Sequence, residues 1–294
     1  SGNLIGDAGA KAIANNKTWS SLERLDLGNN RIGDEGAIAI AQGKALWNIK
    51  RMMLQGNQIG HSGVLAITKA GWSNLEKIIL YSNRINDESI AAVLKTKTWR
   101  RIRKLFLYKD YNLALMMNLL NPRTPEEITK ANFPGERETY KLTDVYAFAI
   151  GNNTDWCNLK MLCLSENKIG NEGAVAIGRN TSWTRLEELW LDQNLIGDEG
   201  AVAIGSNTTW IKLRILDLSE NVIGEEGGLA IAKNETWVNL EELFLAENCL
   251  GDEVAKVIGQ NSTWANIQRI GLFKTKMGNE GSLMICKNEK WPKL

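Results

Sequence analysis

Apolar residues recur along this chain with a long period. One complete stretch, Ser182 to Thr208, reads SWTRLEELWLDQNLIGDEGAVAIGSNT. Within it Leu186, Leu189 and Leu191 keep the spacing L-x-x-L-x-L, and Asn194 follows three places on. The alternation from Leu189 to Leu191 predicts a short strand. Gly197 signals a turn, and Asp198 with Glu199 predicts a helix start, Asp198 as its N-cap. Ala201 and Ile204 make one thin apolar helix face, and Gly200 lets that face come close to the strand. The predicted unit is strand, turn, short helix and loop. A single unit cannot bury its apolar face, but a stack of them can.

The unit repeats. Trp156, Trp183, Trp210, Trp237, Trp264 and Trp291 are each 27 residues apart, and Trp19, Trp47, Trp72 and Trp99 extend the series at spacings of 28, 25 and 27. Only Trp190 stands outside it. Asn3, Asn30, Asn57, Asn83, Asn167, Asn194, Asn221 and Asn248 form a second series. Ten residues after each stands Ile13, Ile40, Ile67, Val93, Ile177, Ile204, Ile231 or Ile258. Three registers sharing one period define a repeat protein. The fixed indole is expected in the core, where it buries about 150–250 Å².

The full pattern, L-x-x-L-x-L-x-x-N followed by N-x-I-G-D-E-G-A-x-A-I, resembles the leucine-rich repeat of the ribonuclease-inhibitor-like class. That class also furnishes the sensing arms of nucleotide-binding immune receptors and the core of the Ran GTPase activator. The resemblance covers almost the whole chain. It implies an α/β solenoid, a horseshoe with parallel strands on the concave face and short helices on the convex face. It also implies that the asparagines bond backbone groups of adjacent turns, as a ladder that leaves no buried polar group unpaired. Residues 1–294 then form a single domain of about 11 units, counting truncated ends.

The pattern fails from Asp110 to Asp155. Asp110 and Tyr140 replace ladder asparagines, and Pro122, Pro125 and Pro134 interrupt helix and strand alike. This stretch reads as a degenerate repeat with an insertion, either a tolerated surface loop or a partner-contacting one. Thr275 is a smaller departure in the last unit. Both ends cut through a unit, so end-to-end self-association is expected.

Lys and Arg total 35 against 34 Asp and Glu, so the net charge of +1 exerts no general pull on nucleic acid or anionic membrane. No apolar run is long enough to span a bilayer. No basic-then-apolar leader precedes the repeats. The four cysteines, Cys157, Cys163, Cys249 and Cys286, show no metal-ligand spacing. Scattered thiols suit a reducing compartment, and a cytoplasmic location is expected. Six N-x-S/T motifs begin at Asn16, Asn152, Asn180, Asn207, Asn234 and Asn261. They read as glycan acceptors or as helix-ending asparagines. Their placement just ahead of the periodic tryptophan favours the structural reading.

Nothing points to catalysis, a metal or a cofactor. His61, the one histidine, takes the place of a turn aspartate and has no paired nucleophile. The G-D-E-G carboxylates sit at helix starts, where their charge suits the dipole. The phosphate loop G-x-x-x-x-G-K-S/T does not occur.

Function is expected on the inner face, where the repeats disagree. Strand alternation and the resemblance place the third, fifth, seventh and eighth positions of L-x-x-L-x-L-x-x-N there. Early repeats supply Arg51, Met53, Lys77, Ile79, Tyr81, Lys104, Phe106, Tyr108 and Lys109, a basic and aromatic patch. Later repeats supply Glu166, Glu188, Trp190, Asp192, Asp217, Glu220, Glu242, Phe244 and Glu247, an acidic patch with two aromatics. The last unit adds Arg269, Phe273 and Lys274. Exposed aromatics rimmed by charge suit protein recognition. The expectation is a non-enzymatic module that binds a protein or peptide on its concave face, the sensing or scaffold segment of a larger protein. Nucleic acid is not expected, because the acidic stretch opposes a phosphate track. The alternatives are a GTPase activator of the Ran-activator type, whose functional residues do not map onto this chain, and an extracellular adhesive glycoprotein.

Overall fold

A computed structural model describes residues 1–85, 87–106 and 142–294. Nine strands of three residues form one parallel sheet in chain order: β1 Arg24–Asp26, β2 Arg51–Met53, β3 Lys77–Ile79, β4 Lys104–Phe106, β5 Met161–Cys163, β6 Glu188–Trp190, β7 Ile215–Asp217, β8 Glu242–Phe244 and β9 Arg269–Gly271. Among the described residues ten helices accompany them: α1 Asp7–Ala14, α2 Asp34–Gln42, α3 His61–Thr68, α4 Asp87–Lys95, α5 Asp144–Gly151, α6 Asn171–Gly178, α7 Asp198–Gly205, α8 Glu225–Ala232, α9 Asp252–Gln260 and α10 Asn279–Cys286. Parallel neighbours require a crossover, and the helices α2 to α9 provide them, with α1 before β1 and α10 after β9. The middle residue of a strand, such as Leu189, points into a continuous core with Ile204 and Trp210.

Inside this core three kinds of hydrogen bond join one repeat to the next. The expected ladder is the first. Asn194 Nδ2 donates to Leu164 O, Leu191 O and Asp192 O at 3.0, 3.0 and 3.1 Å, while its Oδ1 accepts from Ile169 N at 3.1 Å. In the last unit Thr275 keeps a single such bond, Oγ1 to Leu272 O at 2.8 Å.

A second asparagine ladder runs beside the tryptophans. Asn180 Nδ2 donates to Gly151 O at 2.6 Å and Asn153 O at 3.2 Å, and its Oδ1 accepts from Ser182 N at 2.8 Å and Ser182 Oγ at 2.7 Å. Trp183 Nε1 then donates to Asn153 O at 3.2 Å. Asn207, Asn234 and Asn261 repeat the asparagine bonds, and Trp210 and Trp264 repeat the indole bond. These are four of the six glycosylation motifs, and their asparagines are buried. Asn152 differs. It stands one residue ahead of the ladder member Asn153, lies exposed at the end of α5 and bonds only Phe148 O, at 2.8 Å. The six motifs therefore do not share one structural cause.

The third joint corrects the helix-start reading. The N-cap of α7 is Gly197, with no side-chain cap bond. Asp198 instead reaches one repeat forward, accepting at Oδ1 from Gly224 N and Gly227 N, both at 2.8 Å, at the start of α8. Asp34 does the same for α3, accepting from Gly60 N at 2.7 Å and Gly63 N at 2.9 Å. A carboxylate at a neighbour's helix start satisfies orphan amides and complements the dipole. Close helix packing also dictates Gly205, where a Cβ would stand 2.6 Å from the Ala230 backbone. His61 opens α3 in the aspartate's place, with Nε2 3.9 Å from Glu88.

The tryptophan series is corrected at its start. Trp72, Trp99, Trp156, Trp183, Trp210, Trp237 and Trp264 are at most 1% exposed, but Trp47 is 53% and Trp19 40% exposed. Leu46, fully buried, fills the pocket one residue earlier, and Ile49 N bonds Leu46 O as Leu75 N bonds Trp72 O. Trp47 is thereby pushed outside. The irregular stretch falls mostly in 107–141, outside the described residues. Across it β4 pairs directly with β5, Lys104 opposite Met161, and Asn153 Nδ2 donates to Leu94 O at 3.2 Å.

Candidate functional site

The core takes the middle residue of each strand, so the first and third residues stand on the opposite, open face of the sheet. The first residues form one row in strict register: Arg24, Arg51, Lys77, Lys104, Met161, Glu188, Ile215, Glu242 and Arg269. The row opens with four cations and carries carboxylates further on. The third residues form the next row, which includes Asp26, Met53, Ile79, Cys163, Trp190, Asp217 and Phe244. The structure thus brings Arg51, Lys77 and Lys104 together, and sets Met53, Ile79 and Trp190 in a second line beside them. Tyr108 and Lys109 lie outside the described residues.

The aromatics are not the exposed anchors expected. Met53, Ile79, Met161, Cys163, Trp190 and Ile215 pack into an apolar cluster of their own, with Tyr81 and Phe244 against it. Trp190 is only 6% exposed. Strands about 4.8 Å apart press large neighbours together along a row, so the cluster forms a floor rather than separate projections. Phe273, by contrast, is 61% exposed, with Lys274 Nζ 5.3 Å from its ring centre.

The charges around this floor are perturbed by it. Lys77 is held down to about 8, first by burial and then by Lys104, Arg51 and Arg24. Burial, and then the charge of Asp26, raises Tyr81. Asp217 is pushed up to about 7, by burial first and next by Asp192, although Ser219 N donates to its Oδ1 at 2.9 Å. Burial also raises Asp192, against a hydrogen bond from Ser165 Oγ. Cys163 is raised to about 12, chiefly by burial. Its thiol is a packing group, because only a thiolate is reactive. Arg24, Asp26, Met161, Cys163, Ser165 and Ile215 were missed as face residues. The register that marked Arg51 and Trp190 marks them equally.

One residue before the first row, charge behaves differently. Glu23 pairs with Lys50 at 2.6 Å, Glu76 with Arg103 at 3.7 Å, Glu187 with Lys160, and Glu241 with Arg214 at 2.6 Å. There each cation meets a carboxylate from an adjacent repeat. On the open face, Arg24, Arg51 and Lys104 form no ion pair among the described residues. Among those residues no cluster of three or more His, Cys, Asp or Glu is placed to hold a metal ion.

A leucine-rich-repeat sequence profile matches residues 20–41, 157–178, 184–205 and 211–232. Each match begins just before or within the apolar run that leads into a strand and ends in the following helix. The chain carries leucine-rich repeats. This leucine-rich-repeat chain is similar in structure to a leucine-rich-repeat protein of Leptospira interrogans, at 22% identity over 92% of this chain and 53% of that one, with a TM-score of 0.57. It is also similar to InlP of Listeria monocytogenes, at 15% identity over 80% of this chain and 53% of that one, with a TM-score of 0.50. It spans about half the length of each. At such identities the likeness is one of fold. A sequence search of curated proteins gives no match. Among the described residues, no helix is long and apolar enough to cross a membrane.

Proposed function

We propose that this leucine-rich-repeat domain is a non-enzymatic interaction module that holds a protein or peptide on the open, concave face of its sheet. One observation carries the reading: the face is divided, with cations in register over β1–β4 and carboxylates over β6–β8, above a continuous apolar floor. Divided charge selects and orients a partner, and an apolar floor supplies desolvated contact. A partner with an acidic end and a basic end fits best. The acidic half opposes a nucleic acid track. Among the described residues the thiol of this face, Cys163, is held neutral by burial, which removes it as a nucleophile.

A cytoplasmic, scaffolding or sensing role belongs to the same proposal, as does one domain over 1–294. The four buried motif asparagines support it. A glycan on Asn180, Asn207, Asn234 or Asn261 would break the second ladder, so the fold suits a compartment without N-glycosylation. That argues against the adhesive glycoprotein. A Ran-activator role predicts stimulated GTP hydrolysis, and we expect none.

The test is site-directed photo-crosslinking in cells, with the photoreactive residue at Tyr81 or, on the outer helices, at Glu199. We expect protein adducts from Tyr81, lost when Arg51→Glu and Lys104→Glu are combined and kept when Glu172→Lys is introduced. Adducts only from Glu199, or adducts at Tyr81 indifferent to the charge reversals, overturn the reading.

A further inference from the structure

We infer that the segment held over β1–β4 is an extended acidic peptide with carboxylates at alternate positions; this rests on the function proposed above. Arg24, Arg51, Lys77 and Lys104 are in-register neighbours on consecutive strands. At about 4.8 Å per strand the row is about 14 Å long. An extended peptide rises about 3.3 Å per residue, so its same-side residues repeat every ~6.6 Å, and three of them, at i, i+2 and i+4, span ~13 Å. Three alternate carboxylates therefore match four cations in length.

The row is arranged to receive such charge. One residue earlier in each repeat, the protein neutralises its cations with its own carboxylates. Here Arg24, Arg51 and Lys104 form no ion pair among the described residues, and like charges in register repel. Among the described residues the charges that lower Lys77 are those of Lys104 on β4, Arg51 on β2 and Arg24 on β1, and Asp26 stands further along β1 in the flanking row. The flanking row supplies Met53 and Ile79, nearly buried. Carboxylates on a peptide with apolar neighbours satisfy both rows. A phosphodiester chain does not, because its continuation meets Glu188 beyond Met161.

Bound carboxylates raise Lys77 from about 8 toward its ordinary range, so binding takes up protons near pH 8. Affinity is then highest below pH 8 and falls as the free lysine deprotonates. The probes are a synthetic peptide with glutamates at i, i+2 and i+4, an isomer with the same three glutamates consecutive, and inorganic polyphosphate. The full chain is titrated calorimetrically in two buffers of different ionisation enthalpy. The alternating peptide is expected to bind about tenfold more tightly than its isomer, with proton uptake at pH 8. Lys77→Arg, which keeps the charge at every pH used, should bind without proton uptake and melt like wild type. Equal affinity for both isomers, uptake that persists in Lys77→Arg, or tighter binding of polyphosphate overturns the inference. Failure here with retained crosslinking at Tyr81 removes the acidic peptide alone; loss of that crosslinking removes the binding face itself.

Discussion

The two sides of the sheet obey opposite rules. On the helix side repeats are joined by two asparagine ladders and by a clasp from Asp or Asn at a helix start, and the framework side chains vary little from Asn167 to Trp264. On the open side the backbone is as regular, yet no two successive repeats offer the same side chains. Stability is thus invested in identity between repeats, and recognition in difference. A substitution on the first side should cost folding, and one on the second should cost binding.

The largest expected effect is Trp210→Ala. It should destabilise by about 3–5 kcal/mol in denaturant melts, since the indole is fully buried between neighbouring repeats. A change near zero would dissolve the contrast. Asn194→Ala leaves several buried backbone groups without their partner and should cost about 1–3 kcal/mol, against little for the exposed Lys168→Ala. Equal midpoints for these two variants would refute the ladder.

A gain is expected where the clasp is incomplete. Position 225 holds glutamate where its counterparts hold Asp34 and Asp198, and among the described residues it makes no bond to Gly251 N. Glu225→Asp should restore the shorter reach and stabilise by about 0.5–2 kcal/mol. A lower midpoint would contradict the role assigned to the clasp.

On the open face, Asp217 sharpens the comparison by pH. Its folded value, about 7, lies above the value in the unfolded chain, so the folded protein holds the proton longer. This group therefore favours folding below about pH 4, and that contribution is lost as pH rises toward 7. Asp217→Asn should remove that slope and be relatively more stable than wild type at pH 8. An unchanged slope would show that the carboxylate is solvated in solution. The smallest effect is Arg24→Gln, expected to leave the midpoint unchanged or slightly raised, because it relieves repulsion at an exposed site.

The strands, the helices and the first ladder were legible in the sequence because one period fixes all three. What escaped were the other bonds that cross between repeats, and the packing along a row. Asp198 looks like a cap for its own helix, since the amides it serves stand one repeat further on. Asn180 and its counterparts were hidden inside an unrelated motif. Trp47 fits the tryptophan series to within one residue, yet one residue decides that Leu46 is inside and Trp47 outside. On the candidate face, the register located the residues but not their burial. Whether Trp190 projects or lies flat depends on Cys163 and Asp217 beside it, and those neighbours meet only after folding.

The direct pairing of β4 with β5 has a consequence in polymer terms. About twice as much chain separates these strands as separates any other pair. Doubling a loop costs only about 0.6 kcal/mol of closure entropy. The sheet and both flanking joints close over that length in the usual register. The solenoid therefore counts its turns by hydrogen-bond geometry and not by residues. That pairing also lies where the face changes sign, so one hydrogen-bonded seam joins the cationic and the acidic territories.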